Sequence, residues 1–275
     1  MGCGRVLVRG TATPAIIMKG TDDLLTELRE FSGHDLPRFS DCVRTAFAAV
    51  GPVFHRQKYA EFFFHCASTV PAWLARVLMA NADAESHGSE KLFWLWLGSS
   101  ANATIARDVL VHAKDESRHS RVFVSLIDKA FPGALPPEDL RSKRGQLFTV
   151  PSDLDTAQRF QLPEDHLMDH LVQMNMGEIR TRVHMLLLAP VIHAFAPDDA
   201  KDRVAKVLEG LVTDEVRHIS YTARFIESWC EAGDGPRIQS LYTRRLNDFH
   251  QLTISQTEAA VHAYGGGRYP ELLEI

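Results

Sequence analysis

The chain has 275 residues, 45% of them hydrophobic and 24% charged, and a formal net charge of -5. This is an ordinary globular composition, long enough for one large domain or two small ones. It gives no support for a nucleic-acid partner or an anionic membrane surface, and no apolar run is long enough to span a bilayer.

The pattern from Met1 to Gly20 has basic residues but no continuous apolar segment, so no secretory signal is expected. Cys3, Cys42, Cys66 and Cys230 are scattered with no Cys-x-x-Cys, which suits reduced thiols and a cytoplasmic location. Residues 1–36 read as a poorly patterned N-terminal arm, in which Thr21-Asp22-Asp23 is placed to cap a short helix through Leu24, Leu25 and Leu28. Residues 37–275 read as a single helical domain, with a core bundle over about 71–231.

Ser40-Asp41 begins a helical stretch that Gly51-Pro52 ends, and another runs from His55 toward Thr69. A long helix is expected from Pro71 to about Leu97, then a break at Gly98–Asn102, then a second helix from Ala103 to Ala130. The stretch from Pro132 to Pro163 is rich in Pro, Gly and charge and shows no helical period. A third long helix is expected from Pro163 to about Ala194, and a fourth from Asp199 to Cys230, closed by Gly233-Asp234-Gly235-Pro236. A last helix follows over about 237–262, ended by Gly265-Gly266-Gly267. No strand-like alternation occurs, so the expected class is all-α.

The second and fourth long helices each carry one copy of the same pattern, Asp115-Glu116-Ser117-Arg118-His119 and Asp214-Glu215-Val216-Arg217-His218. Each contains Glu-x-x-His, which on a helix puts a carboxylate and an imidazole on adjacent turns of one face. Such a pair on two helices, joined by one Glu from each of two others, is the ligand set of a carboxylate-bridged di-metal site. In a helical hairpin, residues equidistant from the turn lie at one height. Glu85 and Glu116 are symmetric about the Gly98–Asn102 break, and Glu178 and Glu215 about the Ala196–Asp198 break. Glu90 and Glu164 fit these positions less well. Glu178 also sits among Met174, Met176 and Met185, where an unpaired carboxylate is costly.

Several neighbours have candidate roles. Asp115 and Asp214 are placed to accept a hydrogen bond from the far ring nitrogen of the opposite helix's His. Arg118 and Arg217 either tie those carboxylates down or are solvated. His112, one turn before Glu116, is a candidate seventh ligand, an outer hydrogen-bonding group or a substrate-facing group. Its counterpart before Glu215 is Leu211. His184 and His193 fall off the Glu178 face, and His87, His166 and His170 have weaker claims.

On Glu85, Glu116, His119, Glu178, Glu215 and His218, the chain resembles the ferritin-like di-iron carboxylate superfamily, over about residues 71–231. The paired motifs are similar to those of its oxygenase branches. The p-aminobenzoate N-oxygenase family also adds a His, but on the other Glu-x-x-His helix. Radical-bearing ribonucleotide reductase subunits have a Tyr where this chain has Phe123. The resemblance implies a ferritin-like four-helix bundle with a long crossover between its second and third helices, and with additional N- and C-terminal helices. It implies two Fe ions, or a Mn/Fe pair, with O₂ as cosubstrate, and hydroxylation or N-oxygenation of a small organic substrate.

The chain carries no flavin or nicotinamide fingerprint, so an external electron donor or reductase is expected as a partner. A homodimer is a candidate assembly. The rival expectations are an iron-storing or peroxide-scavenging protein without organic substrate, and a hydroxylase acting on a macromolecule such as tRNA.

Overall fold

The computed structural model describes residues 20–70 and 72–264. Most of the N-terminal arm, Cys3, the expected helix start at Pro71 and the terminating Gly265–Gly267 run lie outside the described residues. The described chain is all-α: α1 (Thr21–Ser32), α2 (Pro37–Val50), a 3₁₀ turn (Val53–His55), α3 (Gln57–Thr69), α4 (Trp73–Gly98), α5 (Ala103–Ala130), α6 (Pro137–Gln146), α7 (Glu164–Phe195), α8 (Lys201–Trp229) and α9 (Gly235–Tyr264). Among the described residues no helix is long and apolar enough to cross a membrane.

Two hairpins organise the molecule. α4 packs most extensively on α5, and α7 on α8, and α5 touches α8 across the centre. The α4–α5 turn is set by Asn102, whose side chain accepts from the Ile105 amide at 3.0 Å and so caps α5. α7 runs unbroken through Pro190. A kinked π turn (Cys230–Asp234) links α8 to α9, with Gly233 at φ 111°, a backbone region that glycine enters without steric cost.

Four local expectations are corrected. Thr21 is the first residue of α1, not its cap; the Gly20 amide donates to Asp23 Oδ2 at 2.8 Å. α2 begins at Pro37, because a proline's fixed φ suits a helix's first turn. Its first amides are satisfied from a distance, since Glu227 on α8 accepts from Phe39 N at 2.7 Å and Arg38 N at 3.3 Å. α9 begins at Gly235, so Pro236 sits in its first turn and does not precede it.

The fourth correction is that the crossover contains a helix, α6, opening on Pro137 with Glu138 and Asp139 and closing with Lys143 and Arg144. It buries only Leu140, so it has no apolar period to read. Ion pairs hold it to the first hairpin, Lys143 to Asp83 at 2.7 Å and Arg144 to Asp128.

The crossover then docks on the α4–α5 turn. Phe160 N donates to Leu97 O at 2.9 Å and Leu162 N to Gly98 O at 2.8 Å. Gly98 is required there, since a Cβ would lie 2.6 Å from Leu162 Cγ. Leu24, Leu25 and Leu28 of α1 join the main apolar core, and Arg182 of α7 pairs with Glu27. A second apolar cluster gathers Leu92, Leu95, Val109 and Ala113 near the α4–α5 turn. Along α4 and α5 the two clusters are separated by one polar layer.

Candidate metal centre

That layer is built from Glu85 on α4, Glu116 and His119 on α5, Glu178 on α7, and Glu215 and His218 on α8. All are buried except Glu178, whose side chain is 13% exposed. His112, also buried, projects into the same space. Two overlapping groups have ligand atoms within 4.8 Å of one another: His112, Glu116, Glu178 and His218, and Glu85, Glu116 and His119. Glu116 belongs to both.

The geometry around Glu116 is unusual for a protein interior. Its Oε1 lies 3.3 Å from His112 Nε2, 3.4 Å from His119 Nδ1 and 3.3 Å from His218 Nδ1. None of these four atoms makes a hydrogen bond, and neither does Glu215 Oε2. Buried polar atoms are almost always satisfied, so five unsatisfied atoms converging on one space mark a place built for something electropositive.

The outer ring nitrogens are all engaged. His119 Nε2 lies 3.1 Å from Asp214 Oδ2, and His218 Nε2 lies 3.4 Å from Asp115 Oδ2. The aspartates hold Nε2 from behind and leave Nδ1 facing inward, the orientation metal-binding imidazoles use. His112 is turned the other way: Nδ1 lies 2.9 Å from the Tyr221 hydroxyl and Nε2 points inward, 3.2 Å from Glu178 Oε1. Its ring stacks on His218 with centroids 3.6 Å apart.

Arg118 and Arg217 tie the two aspartates together. Arg217 donates to Asp115 Oδ2 at 2.8 Å and to Asp214 Oδ1 at 2.7 Å, and Arg118 reaches both aspartates from the other helix. Two arginines thus balance two aspartates, and among the described residues no arginine or lysine pairs with the four inner glutamates.

Their ionisation reflects this. Burial pushes the Glu116 carboxyl up to about 7, with the Glu178 charge adding to it and His119 opposing. Burial also drives Glu215 well above the carboxylate range, helped by the Glu178 and Glu116 charges. Burial works against Glu178 too, but His112 beside it outweighs that and holds it down at about 2. Burial likewise opposes the charge on His119, which its bond to Asp214 and the nearby Glu116 carboxylate raise to about 9. Burial and the neighbouring His112 hold His218 well below the ordinary imidazole range. The cluster is a set of anions competing for too few positive charges.

The crossover fixes the register of the first hairpin here. Phe148 N donates to Ser86 Oγ at 2.7 Å, and Ser117 Oγ donates to Phe148 O at 3.0 Å. These two serines adjoin Glu85 and Glu116. The weaker candidates lie elsewhere. Glu90 is exposed beside His87, Glu164, His166 and His193 are exposed, His170 lies against Trp94, and His184 faces Tyr59.

Tyr221 was not singled out by its sequence context, yet a signal exists. The pairs His119–Asp214, Asp115–His218 and His112–Tyr221 have residue numbers that add to the same value, as facing positions on two antiparallel helices must. His112 therefore points to Tyr221 once the first two pairs set the register. The chain matches no protein-family model, no curated protein and no solved structure, so its residues alone carry the reading of the site.

Proposed function

We propose that the chain is an O₂-activating non-haem di-iron oxygenase of the ferritin-like kind, acting on a small organic substrate. The observation that carries this reading is the convergence of unsatisfied ligand atoms from His112, Glu116, His119, Glu215 and His218, with each imidazole fixed from behind. Four inner carboxylates match the charge of two divalent cations, and three imidazole nitrogens suit iron. A di-ferrous pair, if held there, would supply the two electrons that reduction of O₂ needs.

The protein's own residues do the rest. Asp115 and Asp214 keep Nδ1 of His218 and His119 facing inward, and Arg118 and Arg217 hold those aspartates in place. Glu116 is shared by both groups. The apolar clusters on either side of the layer exclude water from it.

The test is anaerobic loading with Fe(II), metal analysis, then stopped-flow mixing with O₂. The expected result is two iron ions per chain and a transient absorbance whose decay quickens with an organic substrate. Loading that leaves less than one iron per chain sinks the site. Decay straight to a ferric mineral overturns the oxygenase reading in favour of iron storage.

A further inference from the structure

A cleft of about 430 Å³ lies between α3, α4, α7 and α9. Small-molecule pockets are typically about 300–1,000 Å³. Its walls come from the two helices that carry Glu85 and Glu178, and it reaches Ala84, the residue before Glu85. Tyr59, Phe62 and Phe63 of α3 supply aromatic surface, and its exposed lining is mostly apolar.

Two arginines line it, Arg76 at the exposed edge and Arg180, two residues beyond Glu178 and half-buried in the wall. It is Arg180 that points to a ligand. Its Nε donates to Thr253 Oγ1 at 2.9 Å and an Nη donates to Gln256 Oε1. Both partners are neutral. A guanidinium has five donors and keeps its charge in any protein setting, so a positive charge and several donors are left over. None of the described residues lining the cleft is Asp or Glu.

The nearest ionisable pair does not supply an anion. The Tyr59 hydroxyl lies 3.1 Å from His184 Nε2, and the two rings stack. Burial raises the Tyr59 phenol to about 12, so it stays protonated, and burial with Arg180 nearby keeps His184 neutral. A desolvated cation without a counter-charge is costly, and a ligand carboxylate removes that cost while forming charge-assisted hydrogen bonds.

We propose that this cleft binds a flat, largely apolar organic acid, with its carboxylate on Arg180 and its ring against the α3 aromatics, and that such acids are the substrate class of the neighbouring site. The word substrate rests on the di-iron reading; binding of the acid does not. The experiment is isothermal titration of the full chain, metal-free and Fe(II)-loaded, with 2-naphthoate and its neutral counterpart 2-naphthamide.

Naphthoate is expected to bind roughly tenfold or more tightly than the amide. Arg180→Gln brings the two within about twofold, Arg180→Lys restores part of the preference, and Ala80→Trp, on the exposed rim of the cleft, abolishes binding of both. Absence of naphthoate binding, equal affinities in the unaltered chain, or a preference that survives Arg180→Gln overturns the proposal. Should Arg180→Gln not fold, binding that survives Ala80→Trp overturns it as well. Naphthoate bound through Arg180 by a chain that takes up no iron leaves the anion site standing and removes the di-iron reading. Iron uptake without naphthoate binding does the reverse.

Discussion

Replacing Glu116 by Gln should make the metal-free protein more stable and the metal-loaded protein less stable. Glu116 is buried, and its carboxyl is raised from an ordinary 4.5 to about 7. A raised carboxyl binds its proton more tightly in the folded chain. Below pH 4.5 folded and unfolded chains are both protonated there and the shift costs nothing. As pH rises from 4.5 to about 7 the unfolded chain ionises first and stability falls; above that the full cost stands. At roughly 1.4 kcal/mol per tenfold change in ionisation constant, that cost is about 3 kcal/mol at pH 8.

Gln copies the neutral form at nearly constant volume, and its amide can donate to one of the three imidazole nitrogens now crowding Oε1. The metal-free variant should therefore unfold about 3 kcal/mol later than the unaltered chain at pH 8, on the order of 6 °C in Tm, and almost together with it at pH 5. Addition of Mn(II) or anaerobic Fe(II) should reverse the order, because only the glutamate bridges both ligand groups. The assay is urea or thermal unfolding at the two pH values, with chelator and with metal. The reasoning is refuted if the metal-free variant is no more stable at pH 8, or if metal stabilises both chains equally.

Three other outcomes are expected. Asp214→Asn should weaken metal binding about 10–100-fold, with Asp115→Asn following it, because each removes the group that fixes an imidazole; competition with a chromophoric chelator measures this, and unchanged affinity counts against the inward Nδ1 geometry. His112→Leu, which copies the equivalent Leu211, should lower the affinity for one of the two metal ions and leave the other nearly intact, read as two separated steps in a metal titration. Gly98→Ala should destabilise the fold by about 1–3 kcal/mol in urea, because its Cβ meets Leu162, while metal content per folded chain stays the same.

The four long helices and the six inner side chains were legible because each is tied to a strong local rule. Helices of 26 to 32 residues carry many apolar turns, and a hairpin forces ligands to equal distances from its turn. What was not legible depends on long-range contacts. α2 has no cap of its own because Glu227, on α8, does that work. α6 is held by ion pairs to Asp83 and Asp128, and charged surface residues do not announce their partners. The docking of Phe160 and Leu162 on the first hairpin is backbone hydrogen bonding, and a lone glycine such as Gly98 does not say what packs against it. The cleft at Arg180 joins four helices distant in sequence, and nothing around that arginine says it lacks a carboxylate.

The motifs on α5 and α8 are near copies, and one pair of contacts breaks that symmetry. Asp115, Glu116, Arg118 and His119 repeat as Asp214, Glu215, Arg217 and His218, at constant spacing. The same spacing carries His112 onto Leu211 and Tyr221 onto Val122. So the buried His112–Tyr221 contact at one end of the layer is answered at the other by Leu211 in the apolar core and Val122 packed against it. One end gains an inward imidazole nitrogen and the other gains none. Were a metal ion held by each candidate group, the two positions would be inequivalent: one would draw on His112 and His218 with Glu116 and Glu178, the other on His119 with Glu116 and Glu85.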